Sequence, residues 1–219
     1  MSVKIWDICL LAAAAVGMWV LGSAYIRRKY RTGKKELGYK ASATLMAVII
    51  AVLMAVRDSS LLALCLAAGT ICCMTADVLL ELYFIGGAAV FAIAHVCFIT
   101  GFGLWEQPDG FTAVAAAVLF MGALLIFRRF ISDLGKLAVP GALYIAFLST
   151  MCAMAVNVFW KNPGMRQGAA ALGGIAFMIS DMVLVWNLLE GKQSRTGDKI
   201  VLGFYYSAVY LLAACRYFS

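Results

Sequence analysis

The chain is a succession of eight long apolar runs separated by short polar or glycine-containing breaks. Each run has about 16 to 24 residues, long enough for a helix to cross a hydrocarbon core of roughly 30 Å. The predicted spans are 5–26, 41–56, 61–80, 86–104, 111–127, 137–160, 168–189 and 200–217. Because backbone amides in lipid must be hydrogen-bonded internally, the pattern predicts an all-α bundle of eight transmembrane helices, a single domain over residues 1–219.

Composition agrees with this pattern. Hydrophobic residues make up 64% of the chain and charged residues 13%, and the mean hydropathy is +0.94, far from the balance of a soluble domain. The first run is longer than the core of a signal peptide and is followed directly by Arg27, Arg28 and Lys29, which predicts a retained helix. Short loops without sorting tails favour a bacterial inner membrane.

The basic residues predict an orientation. With both termini on the extracytoplasmic side, 13 of the 18 Lys and Arg residues lie on the cytoplasmic side and 5 on the other. The net charge of +7 is concentrated in a few loops, so it indicates orientation and contact with anionic lipid. No nucleic-acid module and no obligate protein partner is evident from the sequence.

Two aspartates lie inside apolar runs, Asp77 in the third span and Asp181 in the seventh. An ionisable side chain in a membrane-spanning helix is costly unless it faces a cavity or a partner, so both are candidate functional residues. Their offset of 104 residues hints at a weak internal repeat of four helices. If the two helices pack side by side, the carboxylates lie at similar depth, toward the cytoplasmic leaflet.

Each aspartate also has a structural interpretation. Asp77 lies about one turn before Glu81, a position typical of an interfacial residue whose carboxylate reaches water. Asp181 is followed by further apolar residues, and a neighbouring helix would then satisfy its carboxylate. These alternatives stay open at the level of sequence.

Four further polar residues are candidates for the same pocket: Lys40, His95, Tyr205 and Tyr206. His95 is the only histidine, and by itself it is equally typical of a hydrogen-bonded core residue. Lys40, at the start of the second span, has the alternative of extending to the headgroups. The tyrosine pair has the alternative of marking a membrane boundary.

The sequence lacks the residues that several kinds of catalysis require. The sequence contains no G-x-S-x-G, H-E-x-x-H, P-loop or dinucleotide-binding motif, and its seven cysteines include no CxxC pair. A single histidine cannot build a multi-histidine metal site, so neither a metal nor a cofactor is predicted. What remains is acid–base chemistry by carboxylates, or proton-coupled transport.

Blocks around these candidates resemble a known family, the YhhN-like lysoplasmalogenases, eight-helix membrane proteins of bacteria and animals. The blocks, in order, are Lys40, Ala76-Asp77-Val78-Leu79-Leu80, Gly87 with Phe91, Ala94-His95, Phe177 with Ser180-Asp181 and Leu184, and Tyr205-Tyr206 with Ala208. The chain departs from the family pattern at four positions: Ala41 replaces a proline, Ala76 a glycine, Phe98 a tyrosine and Val209 a glutamine. The loss of two polar groups points to an altered substrate preference or a different substrate.

The resemblance implies a lysophospholipid substrate in the membrane and hydrolysis of a vinyl ether to a fatty aldehyde and glycerophosphoethanolamine or -choline. A vinyl ether resists base and yields to acid, so the reaction needs one protonated carboxyl group and a second carboxylate. Asp77 and Asp181 are the expected pair, with either one as the acid. Lys40 is expected at the phosphate, and His95 with Tyr205 or Tyr206 is expected to orient water or the glycerol hydroxyl.

A proton-coupled transporter of lipids or small molecules is the alternative, in which the same aspartates would load and release protons. Transporters often break their helices with Pro or Gly near the middle of the membrane. Here Pro108, Pro140 and Pro163 lie at or near the predicted boundaries, which favours an enzyme.

Overall fold

The structure, a computed structural model, describes residues 5–32, 36–130, 134–191 and 194–218. These residues form eight helices long and apolar enough to cross a membrane, which confirms the predicted all-α, multi-pass membrane protein. The helices are α1 (Ile5–Thr32), α2 (Leu37–Asp58), α3 (Leu61–Leu82), α4 (Phe84–Trp105), α5 (Gly110–Phe127), α6 (Ala138–Lys161), α7 (Met165–Leu189) and α8 (Arg195–Ala214). No strand occurs within the described ranges.

Short polar side chains define where several helices begin. The side chains of Ser60 and Ser194 accept hydrogen bonds from backbone amides in the first turns of α3 and α8. Asp109 and Thr112 form a reciprocal capping box at the start of α5, and the amide of Thr112 holds the pKa of the exposed Asp109 carboxyl below its usual range. Pro140 lies in the first turn of α6, where its missing amide would have had no partner.

Seven of these helices form the body of the bundle. Neighbouring contacts run from α1 through α2, α3 and α4 to α6, α7 and α8, and α8 packs back against α1, α2 and α3. Side-by-side packing of α3 and α7, the condition considered from the sequence, is not among the main helix contacts, and α8 packs against both helices. Helix α5 packs on α6 at the periphery, where Ala123 and Phe127 contact Ile145, and it exposes most of its apolar surface.

Ion pairs join the helices at both ends of the bundle. At the end where the chain begins, Arg57 pairs with Asp7, and Arg216 lies 2.6 Å from Asp58. At the opposite end, Lys29 lies 2.6 Å from Asp198 and so connects the end of α1 to the start of α8. The Lys29 pair holds the start of α8 against α1, the Arg216 pair holds the turn after α8 against α2, and the Arg57 pair joins α1 to α2.

Glycines allow close approach of helices near the interior. A Cβ at Gly174 would lie 2.8 Å from the Cβ of Ala155, and one at Gly173 would lie 3.0 Å from the side chain of Leu212, so neighbouring helices pack closely at both glycines. A Cβ at Gly87 in α4 would overlap the backbone of Leu80 in α3. The close crossing of α3 and α4 therefore requires glycine at position 87.

We expect Gly87→Ala to destabilise the protein by about 1–3 kcal/mol, because backbone must move to admit the methyl group. The matched control is Gly122→Ala in α5, where a Cβ meets nothing within 4 Å and alanine favours the helix. Thermal unfolding in detergent measures both variants. Equal midpoints for the two would show that α3 and α4 do not approach as described.

Candidate active site

The first carboxylate, Asp77, is held in the interior by donors from two other helices. Its side chain is 2% exposed, so it does not reach water at the interface. The hydroxyl of Thr44 in α2 donates a hydrogen bond to Oδ2, and the hydroxyl of Tyr205 in α8 donates a second bond to the same atom at 2.8 Å. Asp77 therefore joins α2, α3 and α8.

Lys40 provides the cation beside this carboxylate. Its Nζ lies 3.8 Å from Oδ1 of Asp77 and 3.3 Å from Oε1 of Glu81, and the residue is 6% exposed. The hydroxyl of Tyr25 in α1 donates to the same oxygen of Glu81 at 2.9 Å. The amine is thus enclosed between two carboxylates and does not extend to the surface.

The second carboxylate, Asp181, is equally buried, with 4% exposure, and has a different set of neighbours. The hydroxyl of Tyr144 in α6 donates a hydrogen bond to its Oδ2. His95 Nε2 in α4 lies 3.3 Å from the Tyr144 hydroxyl oxygen and 3.8 Å from Oδ2. His95 is fully buried, and its Nδ1 has no hydrogen-bond partner among the described residues.

Aromatic rings connect the two carboxylates. The ring centroid of Phe177 lies 4.9 Å from that of His95 and 5.7 Å from that of Tyr205, both in edge-to-face arrangement. Phe91 contacts Phe177 and Tyr205 in the same way, at 6.0 and 5.8 Å. We call these four residues, Phe91, His95, Phe177 and Tyr205, the aromatic cluster. It leads from the neighbours of Asp77 to those of Asp181.

The structure divides the residues expected from the sequence into two groups around the aromatic cluster. Lys40 and Tyr205 surround Asp77, and His95 lies beside Asp181. Tyr206 contacts Tyr205 at 5.5 Å between ring centroids, but its buried hydroxyl makes no hydrogen bond to the described residues.

Sequence reasoning missed two hydroxyl donors to the aspartates, Thr44 and Tyr144. Thr44 lies four residues after Lys40 and therefore on the same face of α2, a spacing that could have identified it. Tyr144 carries no comparable signal, because one tyrosine in an apolar helix does not reveal which neighbouring helix it faces. Among the described residues, no three His, Cys, Asp or Glu side chains are grouped as a metal site requires.

The fold and the interior together define a class: a polytopic helical membrane protein with two carboxylates enclosed in an aromatic and hydroxyl-lined centre. Within this class the chain belongs to the YhhN family, which it matches over residues 36–215. The matched region contains both aspartates, Lys40, His95 and the tyrosine pair.

A curated relative is the lysoplasmalogenase TMEM86B of Sus scrofa, which is 28% identical over 151 residues. The match covers 68% of this chain and 59% of the pig protein, so the chain spans less than two thirds of that relative's length. No solved structure matches the chain.

Lys40→Met tests whether the buried cation balances the carboxylates. We expect a loss of about 3–5 kcal/mol in unfolding free energy, because one partner of a buried ion pair is removed and the other charge is left unpaired. Adding Asp77→Asn to this variant should restore part of the loss. Thermal unfolding in detergent provides the measurement.

The control for this test is Lys161→Met, which breaks the partly exposed pair of Lys161 with Asp109 and should change little. A Lys40→Met protein as stable as the unmodified protein would contradict the described arrangement of Lys40.

Proposed function

We propose that the protein is a lysoplasmalogenase-like hydrolase that cleaves the vinyl-ether bond of a lysoplasmalogen. The observation that carries the proposal is the placement of two buried carboxylates, Asp77 and Asp181, at either side of one aromatic cluster. Membership of the YhhN family and the similarity to a lysoplasmalogenase support it. The products would be a fatty aldehyde and a glycerophospho-ethanolamine or -choline.

The chemistry of the bond requires two carboxyl groups in different states. Protonation of the outer alkene carbon gives an oxocarbenium ion, which water then attacks. One carboxyl group must carry the proton, and the other must accept a proton from the attacking water, as the paired carboxylates of glycosidases do around a similar cation.

The neighbours of the two aspartates suggest which role each one takes. Asp77 accepts two hydroxyl hydrogen bonds and lies near the Lys40 ammonium, so its surroundings balance a negative charge. Asp181 receives one hydroxyl hydrogen bond, from Tyr144, and has no Lys or Arg partner among the described residues. We assign the acid to Asp181 and the base to Asp77.

In the first half of the reaction, the proton of Asp181 moves to the outer alkene carbon and the π electrons form the new C–H bond. Asp77 removes a proton from water as the water oxygen bonds to the carbon that carries the ether oxygen. In the second half, Asp77 returns its proton to the glycerol oxygen as the C–O bond breaks. The hydroxyl proton of the hemiacetal passes to Asp181, the aldehyde forms, and both carboxyl groups regain their initial states.

The aromatic cluster has two effects on this reaction. The rings pack between the neighbours of the two aspartates and exclude bulk water there, which would protect the cation from uncontrolled capture. The faces of Phe91, Phe177 and Tyr205 also attract a positive charge, which stabilises an oxocarbenium ion more than the neutral vinyl ether. His95, through Tyr144, would keep the Asp181 carboxyl group in one orientation.

Lys40 takes a different part in this proposal from the one expected from the sequence. Its amine already lies between Asp77 and Glu81, so we propose that it keeps Asp77 in the carboxylate form and does not contact phosphate. Recognition of the phosphate then falls to other residues.

Proton-coupled transport by the same aspartates is the alternative function. Helices α3 and α7 run without interruption through Asp77 and Asp181, whereas discontinuous helices form the binding sites of many transporters. The continuous helices favour the enzyme.

We expect Asp77→Asn and Asp181→Asn each to lower aldehyde release from a lysoplasmalogen by at least about 10²-fold, because each removes a proton-transfer group. Detergent-purified protein is assayed for aldehyde, beside the acyl lysophospholipid of matching chain and headgroup, which should not release aldehyde. Asp109→Asn is the control, since it exchanges an exposed carboxylate for another good helix cap.

Wild-type turnover by either interior variant would overturn the proposed roles. Absence of aldehyde release by folded wild-type protein, together with proton-driven lipid flux in liposomes, would replace the hydrolase by the transporter.

A further inference from the structure

A partly open cavity of about 330 Å³ lies between the second half of α1 and the first half of α8. Its α1 wall includes Trp19, Ser23 and Arg27, which recur at intervals of four residues on one face of the helix. Its volume is at the lower end of the range of small-molecule sites, roughly 300–1,000 Å³. The cavity lies at the end of the bundle where α2 begins, the predicted cytoplasmic end.

Three cations line this cavity: Arg27 from α1, and Arg195 and Lys199 from α8. Neighbouring Lys29 is paired with Asp198, whereas none of the three lining cations has an ion-pair partner among the described residues. The concave surface is therefore lined by three cations and by no acidic residue. An anion would balance them through charge-assisted hydrogen bonds.

Tyr206 forms part of the wall of this cavity. Tyr206 is 2% exposed, its ring packs against Gly22, and its hydroxyl lacks a hydrogen-bond partner within the described residues. Gly22 is required here, because a Cβ would overlap the Tyr206 ring.

The apolar part of the wall indicates that the ligand also has an apolar part. Trp19, Ile26 and Leu202 line the cavity beside the cations. A free inorganic anion would gain nothing from these side chains, whereas the glycerol and first chain atoms of a lipid would contact them. Tyr206 also leads inward to Tyr205, the donor to Asp77, so the cavity adjoins the proposed active site.

We infer that this cavity binds the phosphodiester of a single-chain lysophospholipid, with Arg27, Arg195 and Lys199 as the phosphate ligands. The inference rests on the proposed function and extends it, because it assigns the headgroup site that Lys40 does not supply. The phosphate lies at the membrane boundary in this arrangement, and the glycerol backbone extends past Tyr206 toward Asp77.

Binding of a non-hydrolysable ligand tests this assignment separately from turnover. The probe is a saturated 1-O-alkyl-glycerophosphoethanolamine, compared with the 1-O-alkylglycerol of the same chain, which lacks the phosphate. Affinities are measured by thermophoresis on the full-length protein in neutral detergent. The cavity variant carries three substitutions, Arg27→Gln, Arg195→Gln and Lys199→Gln. It should bind the phospholipid at least about tenfold more weakly than wild type and bind the alkylglycerol with unchanged affinity.

The matched control is Arg31→Gln/Arg128→Gln/Lys136→Gln, which removes the same charge from the same predicted membrane side outside the cavity. This variant should retain wild-type affinity for both probes. Equal losses in the two triple variants would overturn the inference, because they would show a general attraction between basic residues and phosphate. Thermal unfolding of each variant establishes that the proteins compared are folded.

Two further ligands identify what occupies the cavity. Inorganic phosphate and the diacyl phosphatidylethanolamine should both bind more weakly than the alkyl lysophospholipid. A lysophospholipid site would be contradicted if inorganic phosphate bound as tightly as the alkyl lysophospholipid. It would also be contradicted if the diacyl lipid bound as tightly and lost the same affinity in the cavity variant.

Kinetics separate this inference from the proposed function. With a lysoplasmalogen, the cavity variant should raise KM at least about tenfold with kcat within about twofold of wild type, since phosphate contacts contribute uniform binding. If the cavity variant turned the substrate over at the wild-type rate with an unchanged KM, the proposed headgroup site would be refuted and the proposed hydrolase would stand. If the wild-type protein showed no turnover but bound the probes as expected, the proposed hydrolase would be refuted and the lysophospholipid site would stand.

Discussion

The structure depends on the need to compensate two carboxylates in the interior of a helical bundle that has little polar surface. No water surrounds a group buried among membrane helices, so each carboxylate requires donors from neighbouring helices. Asp77 obtains them from α2 and α8, and Asp181 from α6. These contacts fix which helices surround the centre.

Helix α8 is the element that connects the two halves of this interior. Tyr205 donates to Asp77, and the hydroxyl of Ser180, next to Asp181 in α7, donates to the Val201 carbonyl one turn before Tyr205. Contacts with α8 therefore fix the positions of both aspartates. Its first half also provides Arg195 and Lys199 to the cavity beside α1, so one helix adjoins both the interior and the membrane boundary.

Hydropathy was sufficient to predict the eight helices, because every long apolar run must satisfy its own backbone. The aspartates were identifiable for the same reason, since charge is conspicuous in such runs. Their partners were not, because the sequence does not specify which helix faces which: Tyr144 could be placed beside Asp181 only from the fold. For the same reason the sequence left open whether α3 and α7 pack side by side, since a shared depth in the membrane does not define adjacency.

The proposed reaction requires the enzyme to deliver a proton to carbon inside the aromatic cluster. Turnover of a lysoplasmalogen in D₂O, with immediate reduction of the aldehyde to the alcohol, mass analysis for deuterium content and NMR analysis of a chiral ester for configuration, tests that claim directly. Delivery by Asp181 predicts one deuterium, in a single configuration, on the carbon next to the carbonyl group. Deuterium in both configurations would show that an enol leaves the enzyme and is protonated in bulk water, which would contradict proton transfer from a fixed carboxyl group.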